Sequence, residues 1–223
     1  MKKYLPVLEK CPLFENIGMN EMHAMLGCIG ARVHEYVKNE PIFMEGESAN
    51  RVGVVLSGGA QIVKEDFYGK RSIVASVKPS QLFGESFACA EIDSLPVSVV
   101  ATEKSEIMLV DCRRITMSCS NACEFHSRMI LNLLRVVAAK NLVFNHKLEI
   151  VSKRSTKDKL MTYLLSQAKQ NASSEFTIPF DRQSLADYLG VERSALSAEI
   201  SKMKAEGLID TNRSWFRLLE PAN

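Results

Sequence analysis

The stretch DRQSLADYLGVERSALSAEISKMKAEGLI, positions 181–209, decides the reading of this chain. Asp181 stands where a side-chain oxygen caps a first helix, whose apolar positions are Leu185, Ala186 and Leu189. Gly190 supplies a tight turn, and Val191 plugs the angle before a second helix in which Ala195, Leu196, Ile200 and Met203 are expected to face inward. Two short amphipathic helices at that spacing predict a helix-turn-helix.

Glu192, Arg193, Ser194, Ser197, Ala198 and Ser201 are left outward near the start of the second helix. Small hydroxyl and methyl side chains let a helix backbone enter a major groove, where serine bonds several base edges and alanine touches a thymine methyl. Arg193 is the long cation at that end. A helical hairpin with a solvated polar face would share this pattern, so the flanks matter. Upstream, ASSEFTIPF reads as a loop and a short edge strand. Downstream, LIDTNRSWFRLL alternates like a strand pair around Thr211, Asn212 and Arg213, a β-wing carrying Arg213, Trp215 and Arg217. A winged helix-turn-helix over 154–223 follows, with double-stranded DNA as its partner.

Positions 121–153 contain neither Gly nor Pro. Ile130, Leu134, Val137, Asn141, Phe144, Leu148 and Val151 recur at steps of four and three, a heptad seam, while Ala122, Met129, Val136, Val143 and Ile150 form a second stripe. One stripe can pack on its own domain while the other meets a second copy of the chain. Burial of both inside one domain is the competing reading, and Asn141 favours the homodimer because a polar seam residue fixes register.

Between about Ala31 and Asp111 the texture changes to short β-branched runs: ARVHEYV, PIFMEG, RVGVVLSG, AQIVKED, SIVASVK, PVSVVATE and SEIMLVD, punctuated by Gly and Pro. That spacing predicts a small sandwich or barrel. Before it, Tyr4 to Met25 reads as peripheral helices, with Asn20 as the N-cap of one starting at Glu21. The organisation expected is therefore α+β: a barrel with flanking helices over 1–120, a long helix over 121–153, and the winged domain.

Net charge is +2, and from position 152 onward 11 basic residues stand against 9 acidic ones, so placement rather than bulk charge carries the DNA reading. No apolar run approaches the ~18 to 20 residues needed to cross a bilayer, and the first ten residues lack a continuous apolar core, so a cytoplasmic location is expected. Six scattered cysteines, 11, 28, 89, 112, 119 and 123, fit reduced thiols there.

The leader CPLFENIG, the run EGES…VVLSGGAQI…FGES, the long helix and RQSLADYLGVERSALSAEISKMKAEGLI together resemble the Crp/Fnr superfamily over nearly the whole length. The resemblance implies a homodimeric bacterial transcription factor. Its N-terminal domain would be a jelly-roll, cupin-like barrel of the cyclic-nucleotide-binding type, its operator pseudo-palindromic, and RNA polymerase a further partner. By that resemblance Arg182 contacts a backbone phosphate, Arg193 opens the recognition helix, and Ser194, Ser197 and Ala198 fall where members read bases. The family often carries Glu at the place of Ser194 and Arg at the place of Ala198, so the usual half-site does not carry over.

Nucleotide-binding members follow FGE, about ten residues on, with Arg-Ser, the arginine neutralising the cyclic phosphate. Here Phe83, Gly84 and Glu85 are kept, but Asp93 to Ser98 reads DSLPVS with no arginine. A buried phosphate without a cation is strongly disfavoured, which argues against cyclic AMP. A different small effector would be walled by Phe83, Glu85, Ser86, Phe87 and Ser98, with Met129 and Leu133 as lids; Glu85 could equally be a structural carboxylate. The spacing of Cys11 and Cys28 argues against the iron-sulfur cluster of the oxygen-sensing branch. Cys119, Cys123 and His126, at i, i+4 and i+7, could instead hold a metal or haem or act in thiol sensing, although an Asn121–Glu124 capping box would leave Cys119 outside the helix. A barrel enzyme is disfavoured because the barrel region holds only His34, and a regulatory subunit that binds protein through the hairpin is the remaining alternative.

Overall fold

The computed structural model describes residues 2–65, 67–68, 71–117 and 124–219. Two compact units divide the chain, Met1–Ala139 and Lys140–Asn223, and the boundary falls inside its longest helix.

The first unit begins with a 3-10 turn at Lys2–Tyr4, helix α1 (Leu5–Leu8), a second 3-10 turn at Pro12–Phe14 and helix α2 (Met19–Cys28). Strands β1 (Arg32–Tyr36), β2 (Pro41–Phe43), β3 (Arg51–Ser57), β4 (Ala60–Glu65), β5 (Arg71–Val77) and β6 (Leu82–Phe83) come next. Helix α3 (Glu85–Cys89), strands β7 (Ser98–Ala101) and β8 (Ser105–Asp111), helix α4 (Cys112–Thr116) and the long helix α5 (Glu124–Val151) complete the series. The strands make two four-stranded antiparallel sheets, ordered β1-β8-β3-β6 and β2-β7-β4-β5, the jelly-roll form of a barrel.

Strand alternation explains both cores. In β3 and β8, Val55, Ile107 and Leu109 point between the sheets, where they meet Ile42, Phe43, Ala60, Val77, Phe83, Val99 and Ala101. Their neighbours Val52, Val54, Leu56, Met108 and Val110 face the opposite way and pack under α1, α2 and the start of α5. Strands buried on both faces read as continuous apolar runs, which is why RVGVVLSG shows no polar alternation.

Two polar clamps hold the helical cover. Lys3 Nζ and Tyr4 Oη each donate to Glu106 Oε1 at 2.7 Å, and Ser57 Oγ donates to Oε2 at 3.0 Å. These bonds, Lys3's foremost, draw the Glu106 carboxyl down to about 2. On α5, the buried Asn132 donates to the carbonyls of Leu13 at 3.1 Å and Glu15 at 2.8 Å.

The start of α2 differs from expectation. Gly18, not Asn20, is the N-cap, and Glu21 accepts from the Gly18 amide at 3.0 Å, so the helix begins two residues earlier. An acidic side chain three residues into a helix closes this bond even where the cap residue has no side chain.

The second unit contains α6 (Thr156–Asn171), β9 (Glu175–Thr177), α7 (Arg182–Leu189), α8 (Arg193–Ala205), β10 (Ile209–Asn212) and β11 (Trp215–Leu218). Its core joins Ile150, Leu160, Leu164, Leu185, Leu189, Leu196, Ile200, Met203 and Phe216. Strand order β10-β11-β9 places the short strand at an edge, as expected. The wing turns at Arg213 and Ser214, one residue later than the sequence suggests, with Arg213 in the left-handed region at φ 53°.

Candidate nucleic-acid interface and effector crevice

Asp181 Oδ1 accepts from the Ser184 amide at 2.7 Å and fixes the start of α7. Gly190 ends that helix at φ 62°, and Val191 packs partly buried on the core. In α8, Leu196, Ile200 and Met203 are buried at i, i+4 and i+7. The opposite face therefore carries Ser194, Ala198 and Ser201, all exposed together with Arg193.

Two expected orientations are corrected. Ala195 is exposed, not inward, because it lies about a third of a turn off the buried stripe; Ser197, beside Leu196 and Ile200, is half-buried. Ser201 Oγ donates to the Ser197 carbonyl at 3.0 Å, so its hydroxyl is partly engaged by its own helix. Arg182 stacks over the Phe216 ring at 5.4 Å, half-buried, and burial lowers its pKa.

Several other cations of this unit form ion pairs. Lys157 pairs with Glu206 at 2.6 Å and Lys204 with Asp210 at 2.7 Å, and Arg217 pairs with Glu175 across β11 and β9. Arg193 and Arg213 make no ion pair among the described residues. Tyr188 of α7 meets Tyr163 and Phe180 in a cluster of tilted rings with centroids 5.0 to 6.1 Å apart, and Lys147 lies over Tyr188 at 5.2 Å.

In the first unit four of the seven residues expected to wall an effector, Phe83, Glu85, Met129 and Leu133, are buried. Phe83 fills the space between the sheets: its ring packs on Gly53, where an added Cβ would lie 2.1 Å from Phe83 Cζ, and it stands 5.4 Å from Phe43. Phe87 packs against the same core, Glu85 is 2% exposed and accepts from Ser86 Oγ at 3.2 Å, and the half-buried Ser98 accepts from the Glu45 amide at 2.9 Å. Met129 and Leu133 are buried instead in the core under α1 and α2, since the apolar face of α5 serves those helices.

What remains beside Gly84 is a crevice of about 10 Å³ lined by Phe43, Glu47, Ala49, Arg51 and Leu95. That is room for about one water. Gly84 has φ 79°, and a Cβ there would meet Phe43 at 2.9 Å and the Arg51 carbonyl at 3.0 Å, so only glycine fits. Leu95 is tied across the crevice to Glu47 and Gly46 by backbone bonds of 2.8 and 2.9 Å. A larger concavity of about 540 Å³ lies in the second unit between His146 and Glu149 of α5 and Thr162, Leu165 and Lys169 of α6, and none of the expected site residues lines it.

Cys119 and Cys123 lie outside the described residues. His126 is buried, and its Nε2 donates to the Arg114 carbonyl at 2.8 Å, so that nitrogen carries a proton and is engaged. Among the described residues no three His, Cys, Asp or Glu side chains gather as a metal site, and no helix is long and apolar enough to cross a membrane.

Residues 33–117 match the model of the cyclic nucleotide-binding domain, and residues 158–223 match that of the Crp-like helix-turn-helix domain. The chain belongs to the Crp/Fnr superfamily of transcriptional regulators. This Crp/Fnr protein is 21% identical over 210 residues to the transcriptional activator protein FnrA of Stutzerimonas stutzeri, covering 92% of this chain and 83% of that one. It is 23% identical over 205 residues to the cyclic AMP receptor protein of Thermus thermophilus, covering 89% and 88%. The solved catabolite activator protein of Thermus thermophilus shares the fold at a TM-score of 0.56 and 21% identity, over 94% of each chain. Crp/Fnr proteins are DNA-binding transcriptional regulators, not enzymes, and α7 and α8 are the helix-turn-helix of this one.

Proposed function

We propose that this regulator acts in the cytoplasm as a homodimer, binds a pseudo-palindromic operator through α8, recruits or blocks RNA polymerase there, and answers to a small effector other than cyclic AMP or cyclic GMP. In this reading residues 1–120 sense, 121–153 dimerise and 154–223 bind DNA. The observation that carries it is the apolar stripe of α5: Leu134, Phe144 and Leu148 are 63%, 67% and 64% exposed on one protomer. Ile130 and Val137 continue the stripe half-buried, with Asn141 exposed between them and Phe144. A contiguous exposed apolar strip on a helix calls for a partner, and a second copy of the same heptad seam supplies one.

Two α8 helices related by a twofold axis would read half-sites about one helical turn apart. Arg182, Arg193, Ser194, Ser197, Ala198 and Ser201 are the proposed contacts. Arg182→Ala is expected to weaken all sequences alike and to lower the salt slope by about one, as a phosphate contact does. Arg193→Ala or Ser194→Ala should instead alter base preference, by up to ~1 to 3 kcal/mol for a bidentate contact and less for a serine. Selection from a random pool at two salt concentrations separates the classes, and an unchanged consensus after Ser194 and Ser197 are both replaced would remove them from the reading face.

The crevice at Gly84, about 10 Å³ and lined by Leu95, is far too small for a cyclic nucleotide, which supports the exclusion of cyclic AMP and cyclic GMP. Arg51 is the cation that lines it. Calorimetry of the dimer with cyclic AMP and cyclic GMP is expected to show no saturable heat. A stoichiometric micromolar heat for either would mean that Arg51 has taken over the phosphate and would overturn this part of the proposal. Native mass spectrometry of protein purified from its own host would show any retained effector.

A further inference from the structure

Cys89 ends α3 and Cys112 opens α4, 23 positions later in the chain, and their sulfurs stand 3.6 Å apart. β7 and β8 bring them together by carrying the chain back to α3. Cys89 is exposed and Cys112 buried. A cleft of about 90 Å³ opens beside Cys112, lined also by Asn50, Ala88, Glu91 and Arg113, while Cys89 does not line it and meets a peroxide from solvent through its own exposed surface.

We propose that Cys89 and Cys112 are a two-electron oxidation site for a hydroperoxide, closing to a reversible intramolecular disulfide. Closing from 3.6 Å to the ~2.05 Å of a disulfide asks for roughly 1.5 Å of movement shared between two side chains. The exposed Cys89 reacts first: its thiolate attacks a peroxide oxygen, the O–O bond breaks, and the leaving hydroxide takes up a proton to depart as water. Cys89 is then a sulfenic acid. The Cys112 sulfur attacks Cys89 Sγ, the S–O bond breaks, and the Cys112 proton leaves with the oxygen as a second water. Overall two thiols and hydrogen peroxide give one disulfide and two waters, with the sulfurs oxidised and the peroxide oxygens reduced.

Burial and the neighbouring Cys89 push the Cys112 thiol up to about 12, which suits it to the second step, where its partner is already an electrophile, rather than the first. The bond would fasten α3, which starts directly behind Gly84, to α4. This chemistry is independent of the effector and operator readings above.

Peroxide titration of the full-length protein, followed by alkylation and peptide mass spectrometry, tests it. The expected result is a peptide cross-linked through Cys89 and Cys112 with the loss of two hydrogens, formed before the exposed Cys28 is modified, reversed by dithiothreitol, and retained in a variant carrying Cys119→Ser and Cys123→Ser. In Cys112→Ser, Cys89 should accumulate as a sulfenic acid that dimedone traps. In Cys89→Ser, a change at an exposed position that leaves the buried core intact, Cys112 should stay reduced. A cross-link that instead joins either thiol to Cys119 or Cys123, or Cys89 reaching sulfinic acid in the parent as fast as in Cys112→Ser, would overturn the proposal.

Discussion

Leu134→Glu combined with Phe144→Glu is expected to turn the proposed homodimer into monomers and to abolish operator binding. Both side chains are more than 60% exposed on the protomer, so the substitutions add charge without disturbing either core. In the dimer each carboxylate would be buried against an apolar seam without a partner. An uncompensated buried charge costs roughly 3 to 5 kcal/mol. At 1.4 kcal/mol per factor of ten, even one such charge raises the dissociation constant more than about a hundredfold, and the twofold axis places two pairs in the interface. Equilibrium sedimentation reads the change, with circular dichroism as the folding control. Leu133→Glu should behave differently, because Leu133 is buried in the protomer and its loss unfolds the first unit. If the double variant still sediments as a dimer, the copies meet elsewhere.

The second large effect is expected at Gly53. A strand position ordinarily gains from valine, so propensity alone predicts that Gly53→Val stabilises the first unit. The packing predicts the opposite. A Cβ at Gly53 would lie 2.1 Å from Phe83 Cζ, and that ring is 1% exposed and held beside Phe43. Overpacking of this kind costs about 1 to 3 kcal/mol, which at roughly 2 to 4 °C per kcal/mol in a chain of this size is a clear loss in melting temperature. Phe83→Ala alone should cost about 3 to 5 kcal/mol, and the double variant less than the sum, since each change relieves the other. Trp215, the one tryptophan, lies in the second unit and gives an internal control by fluorescence. Melting of the first unit unchanged by Gly53→Val would mean that the Phe83 ring swings aside easily and that the crevice opens to a larger ligand.

The helix-turn-helix was legible because every determinant is local: a capping Asp181, a Gly190 in the left-handed region, and apolar residues at helical spacing within one window. The seven strand segments were legible for the same reason. Beyond these, β6 is too short to carry a periodic signal, and α3 rests on a left-handed Gly84. The anchoring of Lys3 and Tyr4 on Glu106 joins positions more than a hundred residues apart, as does that of Asn132 on Leu13 and Glu15. Nothing in a linear pattern announces such partners. Phe83 reads as a pocket residue in the sequence, but opposite a glycine its ring has space to fill in the core. Arg182 opens α7 and Arg193 opens α8, and the stacking of Arg182 on Phe216 could be seen only with the wing in place.

The pairing of Lys157, Lys204 and Arg217 with their own carboxylates has a bearing on how the protein finds its sites in a chromosome. A cation already neutralised within the fold displaces few counterions from a duplex, so these three side chains are expected to add little to the binding of random DNA. Occupancy of the proposed operator is then expected to depend less on the ionic strength of the cell than that of a regulator whose basic face is unpaired.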